Sequence, residues 1–337
     1  SGQSIAAFLQ PGNYFEAGIS VLDPNVSGNV KSGWTPNPAL PAANIGLENT
    51  SVGEMAGDYY FPSAALKLQV TDNFSFGLIY DQPFGADAEY KTDTKTTSAA
   101  LPPALANQGA FHNGTEGTSV EVKTQSLSMI FGFQPTENWN IYAGPVYQTV
   151  KGDVQLRGVA YGGLAAFGDY NANIDEDGAA GWLAGFAYQI PEIALKTSVT
   201  YRSEIEHKIQ VTESLGASGL AATINPALGY TPGQTEITTP QSVNLDFQTG
   251  VMANTVAFAN IRWVNWKDFA IRPNDFGHAS KFIPGKAQGF DLVAYTDDQI
   301  SATVGVGRKL SEQWAGNVSV GWDSGAGNPI STLGPTE

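Results

Sequence analysis

The sequence predicts an all-β protein, a transmembrane antiparallel β-barrel with short periplasmic turns and long extracellular loops. Three observations predict it. Many segments alternate apolar and polar side chains, short and long connections alternate along the chain, and charge is scarce although no apolar run could form a membrane helix. Of 337 residues, 15% are charged, against about 25% in an ordinary soluble domain. The longest unbroken runs of apolar or Gly residues, 158–168 and 178–188, hold 11 residues each, about half of what a membrane helix needs.

The alternation predicts eleven strands, at 13–23, 58–70, 74–90, 119–133, 139–156, 179–189, 193–209, 241–251, 256–270, 298–309 and 314–323. In the second, Leu66, Leu68 and Val70 oppose Lys67 and Gln69. In the third, Phe74, Phe76, Leu78 and Tyr80 oppose Ser75, Gly77 and Asp81. Leu127, Met129, Phe131 and Phe133 mark the fourth, and Leu195, Val199 and Tyr201 the seventh. Val243, Leu245, Phe247 and Val251 mark the eighth, and Val318, Val320 and Trp322 the last. Several of these strands exceed the ~5–6 residues usual in soluble sheets.

The connections give the sidedness. Those at 71–73, 134–138, 190–192, 252–255 and 310–313 are short. Those at 24–57, 91–118, 157–178, 210–240 and 271–297 run to roughly 20 to 35 residues, the asymmetry of an outer-membrane barrel. Trp139 and Trp314 lie beside short turns, while Trp263, Trp266, Phe269 and Trp322 lie toward long loops. Two aromatic girdles have that distribution, as do aromatics capping a soluble core. Lys67, Lys196, Arg202 and Asp246 on the polar faces predict a wet or ligand-lined lumen. Eleven strands ending at an upper loop do not close. The expectation is one barrel domain over 1–337 that continues through an odd number of further strands.

Composition narrows the function. A net charge of −15 disfavours a nucleic-acid partner, and the absence of Cys removes disulfides, thiolate metal sites and Cys nucleophiles. His112, His207 and His278 fall in no catalytic motif, so neither an enzyme nor a cofactor is expected. Asp175, Asp177 and Gly178 resemble part of a calcium loop, but position 184 is Ala where a bidentate Glu belongs, so no metal is expected.

Three features remain for chemistry. Pro83 cannot donate to a β ladder, so the stretch Pro83, Phe84, Gly85 is either a kink that opens the wall or a turn after a strand ending at Asp81. Leu164, Phe167, Leu215, Leu220, Ile224 and Leu228 make two long loops unusually apolar, as a capture surface or as a lid, with 214–228 a short helix broken at Pro226. Arg157, at the top of the fifth strand, suits a carboxylate through bidentate bonds or is a solvated strand-end charge.

Several stretches resemble the FadL/TodX-type family of outer-membrane transporters for long-chain fatty acids and other hydrophobic compounds. They are 80–90 (YDQPFGADAEY), 152–162 (GDVQLRGVAYG), 188–204 (YQIPEIALKTSVTYRSE), 240–269 (PQSVNLDFQTGVMANTVAFANIRWVNWKDF) and 298–327 (DQISATVGVGRKLSEQWAGNVSVGWDSGAG). The resemblance implies 14 strands in the complete protein, about 11 of them here, in the bacterial outer membrane. It implies passive uptake of a long-chain fatty acid or similar hydrophobic ligand, captured by apolar loops and released laterally at a third-strand kink. Arg157 falls where the family holds a carboxylate, with Lys286 and Arg202 as candidates for a second basic contact. Outer-membrane lipid and lipopolysaccharide are the surrounding partners, and a monomer is implied. The family's N-terminal hatch is expected to be short or absent, with Ile5, Phe8 and Leu9 available to enter the lumen. A general diffusion porin and a surface structural or adhesion barrel stay open as alternatives.

Overall fold

Alternating strands bury one face only when the sheet curls around an interior, and that is how this chain is arranged. The computed structural model describes residues 3–22, 27–29, 51–54, 59–90, 109–162, 166–216, 219–312 and 314–325. Eleven wall strands follow in chain order: β1 (Tyr14–Leu22), β2 (Tyr59–Gln69), β3 (Phe74–Asp81), β4 (Ser119–Phe133), β5 (Trp139–Gln155) and β6 (Asn171–Ile190). β7 (Leu195–Arg202), β8 (Ser242–Met252), β9 (Thr255–Val264), β10 (Gln299–Lys309) and β11 (Ala315–Asp323) complete the sheet. Every neighbouring pair is antiparallel, and among the described residues no helix is long and apolar enough to cross a membrane.

The lower parts of the strands wear their apolar side chains outward. Leu127, Met129, Phe131 and Phe133 on β4, and Ile141 and Tyr147 on β5, are all exposed. Ser126, Ser128, Tyr142 and Gln148 from the same strands are buried in the interior. Exposed large apolar side chains in rows around a wall are stable only against lipid. Trp139, Trp314 and Trp322 are exposed, as girdle residues are.

The structure departs from expectation in four places. The seventh strand, expected over 193–209, leaves the wall at Arg202, and Ile205–Ile209 pairs instead with Thr235–Thr239 in a separate two-stranded sheet. The third strand is not continuous over 74–90: it stops at Asp81 and resumes at Gly85–Glu89. The sixth begins at Asn171, so the acidic stretch expected in a loop is wall. Above the membrane both strand faces obey new rules, and the lower hydrophobic pattern gives no sign of the extension. The ninth ends at Val264, followed by a single turn of 3-10 helix over Trp266–Asp268. The 210–240 loop carries 3-10 turns at Gly219–Ile224 and Pro226–Leu228, broken where Pro226 predicts. The helix α1 (Asn274–Ser280) lies in the next long connection.

Candidate functional site

The interior has two floors of different character. In the lower one, the N-terminal segment enters the lumen. Ile5 and Phe8 are almost fully buried and Leu9 is half-buried, Phe8 meeting Tyr142 edge-on at 5.6 Å. Glycine makes this possible: a Cβ at Gly77 or at Gly132 would stand 2.7 Å from the Phe8 ring. Gln3, with a left-handed φ of 55°, gathers the polar side chains around it. Its main-chain oxygen accepts from Arg202 Nη2 (3.2 Å) and Asn244 Nδ2 (3.3 Å). Its side-chain oxygen accepts from Arg262 Nη2 (2.5 Å) and Ser242 Oγ (3.2 Å). Arg202 also donates to Ser128 Oγ at 3.1 Å. Buried guanidinium groups without such acceptors would be strongly destabilising, so the segment and the wall hold each other in place.

The upper floor is inverted. Above Thr124 on β4 and Gln148 on β5 the inward side chains turn apolar, with Val120, Val122, Val150 and Val154, while the outward ones become Glu121, Lys123, Lys151 and Asp153. β4, β5 and β6 have 15, 17 and 20 residues, beyond the ~9–11 that cross a bilayer, so these upper ends stand in water. There the hydrophobic effect drives apolar side chains inward, and they line a partly open apolar cavity of about 60 Å³. Val120, Val122, Val150 and Ile174 line its wall side, and Trp266, Phe269 and Tyr295 its other side. Trp266 stands edge-on to both Phe84 and Phe269, with centroids 5.3 Å and 5.1 Å away. Among the described residues, no charged side chain lines it.

The cavity reaches the break in the third strand, because Phe84 and Gly85 line it. Across the break, three residues (82–84) stand opposite two of β4 (124–125), since Asp81 pairs with Ser126 and Gly85 with Lys123. This is a one-residue bulge at the proline. Thr124 stitches it, donating from its amide to the Phe84 carbonyl (3.2 Å) and accepting on Oγ1 from the Phe84 amide (2.9 Å). β2 pairs with β3 only up to Ala64 opposite Tyr80, and Gly85–Glu89 pairs with β4 alone among the described residues. A gap in the ladder therefore lies between the top of β2 and Gly85–Glu89. The Phe61 ring approaches it, 3.7 Å from where a Cβ of residue 85 would sit.

The apolar loop residues roof this floor instead of lining the cavity. Phe167 and Leu215 are buried in the upper core, Leu220 and Ile224 pack against it, and Leu228 is exposed. Leu164 lies outside the described residues. Phe167 stacks on Phe276 of α1 at 4.5 Å, joining two long connections. Glu213 joins them again: its carboxylate accepts from the Tyr170 hydroxyl (2.5 Å) and from the amides of Asp275 (2.8 Å) and Phe276 (2.9 Å). Burial pushes the Glu213 carboxyl up to about 7, against the pull of these donors.

Arg157 is buried at the top of β5, apart from the cavity lining. Its guanidinium donates to the carbonyls of Leu156 (2.8 Å) and Tyr170 (3.1 Å) and to Asn171 Oδ1 (2.9 Å), with Glu116 at 3.6 Å. The cavity-lining residues that sequence reasoning passed over had one signal. Val120, Val122 and Val150 continue the alternation with the polarity of the two faces exchanged. Trp266 and Phe269, expected in a girdle, face the cavity because the chain leaves the wall at Asn265.

A wall facing lipid below and water above, plugged at its base and apolar within its upper part, defines an outer-membrane β-barrel channel for hydrophobic compounds. The chain belongs to the outer membrane protein transport protein family (OMPP1/FadL/TodX), whose model matches residues 5–316. Its fold is similar to that of a Pseudomonas aeruginosa FadL homologue, at 16% identity and a TM-score of 0.56, covering 92% of this chain and 70% of that one. The Ralstonia pickettii toluene transporter TbuX is similar at 12% identity and a TM-score of 0.52, covering 94% and 79%. The Pseudomonas putida toluene transporter TodX follows at 14% and 0.51, covering 99% and 80%. No curated protein sequence matches the chain.

Proposed function

We propose that the channel takes up hydrophobic molecules passively, admits them beneath the roof of Phe167, Leu215, Leu220 and Ile224, and releases them sideways into the membrane at Pro83, Phe84 and Gly85. The observation that carries this reading is the apolar cavity meeting a stretch of wall that pairs on one side alone among the described residues, with Ile5 and Phe8 in the lumen below. Lateral release suits a greasy cargo, because leaving directly into lipid keeps it from water at ~0.8 kcal/mol per CH₂. For a long-chain fatty acid, the chain fills the cavity and the carboxylate reaches Arg262, whose guanidinium carbon lies 5.6 Å from the Phe84 ring centre. In this reading Arg157 holds the corner between β5 and its loop.

A monoaromatic hydrocarbon is the second reading. It is favoured by the four rings of Phe84, Trp266, Phe269 and Tyr295 and by the uncharged lining. The toluene transporters among the similar folds lend it weight. Uptake into proteoliposomes separates the readings: a radiolabelled fatty acid and toluene are each offered to the wild type and to Arg262→Gln. Loss of fatty-acid uptake alone supports the first reading, and unchanged uptake of both supports the second. Replacing Pro83 and Gly85 together by Val should abolish uptake of either cargo in a barrel that still folds. Unchanged uptake there would overturn lateral release.

A further inference from the structure

Just above the level where lipid contact ends, the outer surface of β4, β5 and β6 carries charge. Glu121 and Lys123 on β4, Lys151 and Asp153 on β5, and Asp175 and Glu176 on β6 are all exposed and line a shallow outward hollow of about 280 Å³. The strand register pairs like with like: Lys123 lies directly opposite Lys151, and Glu121 directly opposite Asp153. Like charges facing each other across an antiparallel pair are destabilising, and exchanging one residue in each row would have avoided both. β6 adds a bulge. Between the pairs Val150–Asp177 and Gly152–Ile174, both Asp175 and Glu176 face the single residue Lys151, and both turn outward.

Lys123 is held by Glu121 of its own strand at 2.9 Å, and Asp153 Oδ1 accepts from Asn173 Nδ2 at 2.6 Å. Lys151 makes no ion pair among the described residues. The height is informative too. Leu127 and Tyr147, also cross-strand partners, are the last lipid-facing row, and Lys123 and Lys151 stand four positions above them (127 − 123 and 151 − 147). At ~3.3 Å per residue and a strand tilt of ~40°, the lysine row lies about 10 Å above the apolar belt, at headgroup level.

We infer that this hollow docks a phosphorylated sugar headgroup of the outer leaflet, the lipid A portion of lipopolysaccharide. Lys123 and Lys151 together hold one phosphate, which relieves their mutual repulsion. The carboxylates of Glu121, Asp175 and Glu176 accept hydrogen bonds from sugar hydroxyls. A purely anionic ligand would meet four carboxylates beside two ammonium groups, whereas a phosphate flanked by hydroxyl donors matches both signs. The site lies on the outside of the barrel, apart from the cavity and the break, and goes beyond the transport reading.

The test is titration of the detergent-purified full chain with bis-phosphorylated lipid A, read by native mass spectrometry. Phosphatidylglycerol and inorganic phosphate are the competing probes. Wild type should prefer lipid A to both. The double variant Lys123→Gln, Lys151→Gln should bind lipid A about 30-fold more weakly, at ~1 kcal/mol per Lys near an anionic surface. Lys151→Arg should retain binding. Cargo uptake by the double variant should equal that of wild type, so a failure here and a failure of the transport reading give different results. Equal lipid A binding by wild type and the double variant overturns the site. So does wild-type affinity for phosphatidylglycerol or inorganic phosphate that matches lipid A.

Discussion

The lower and upper parts of the same three strands, β4, β5 and β6, have opposite polarity. Below, β4 shows Leu127, Met129 and Phe131 to the outside and keeps Ser126 and Ser128 within. Above, it shows Glu121 and Lys123 outside and keeps Val120 and Val122 within. The period of two holds through β4 and β5 and is interrupted in β6 by the bulge at Asp175 and Glu176; what changes along all three is the medium outside. A strand side chain is apolar where it meets lipid and polar where it meets water, and the inward set is free to take whatever the lumen needs. In the lower lumen that need is closure, met by the inserted Ile5 and Phe8 and by the polar ring around Gln3. In the upper lumen it is an apolar lining. Ile5 and Phe8 thus occupy the floor below the cavity, and the break at Pro83 lies beside it.

The comparison breaks most visibly at the plug. Phe8→Ala removes a buried ring from the lower floor and should destabilise the barrel by about 3–5 kcal/mol, measured by urea unfolding in lipid vesicles. The same variant should raise ionic leak in planar bilayers. An unchanged unfolding midpoint would mean that the segment only rests in the lumen.

The upper floor responds in binding instead. Trp266→Ala takes an aromatic wall from the cavity and should weaken cargo binding by about 2 kcal/mol, roughly 30-fold, in a fluorescent-ligand displacement assay, with little effect on leak. Leak that rises as much as for Phe8→Ala would show that the two floors are not separate.

The roof sharpens the contrast through pH. The Glu213 carboxyl is raised from 4.5 to about 7, chiefly by burial. A raised folded value means that docking binds the proton more tightly. The stabilisation is full below about pH 4.5 and is lost as pH rises through about 7. Hydrogen-exchange protection of the Asp275 and Phe276 amides should fall between about pH 5 and about pH 8, and Glu213→Gln should flatten that profile. A flat wild-type profile would remove Glu213 as the sensitive link.

Least affected should be Leu228→Ser. Leu228 is 69% exposed at the tip of the roof, so a thermal shift equivalent to less than about 0.5 kcal/mol is expected.

The wall was almost fully legible in the sequence. Each strand below the water line meets the same two media, so the alternation of Leu195, Val199 and Tyr201, or of Val318, Val320 and Trp322, carries its own register. The cavity was much less legible. Ile174, Ile237, Trp266 and Tyr295 are far apart in the chain, and each alone reads as an ordinary strand, loop or girdle residue. Phe167 and Leu215 were recognisable as apolar loop residues. Whether they line a groove or pack on Phe276 depends on α1, which comes sixty residues or more later. Arg157 was legible as a buried-capable cation, yet its acceptors at Tyr170 and Asn171 exist only because the loop between β5 and β6 folds back on itself.

By itself the sequence determined how many strands this chain contributes, which ends carry short turns and which face meets lipid. These follow from a strict period of two and from local turn chemistry, both properties of neighbouring residues. Only the tertiary structure decided that the lower lumen is closed by Ile5 and Phe8 against Gly77 and Gly132. It alone decided that the upper lumen is apolar, and that the break in the third strand at Pro83 lies beside it. Those outcomes depend on what lies opposite each side chain across the lumen, and the curl of the sheet brings residues together there that no local pattern relates.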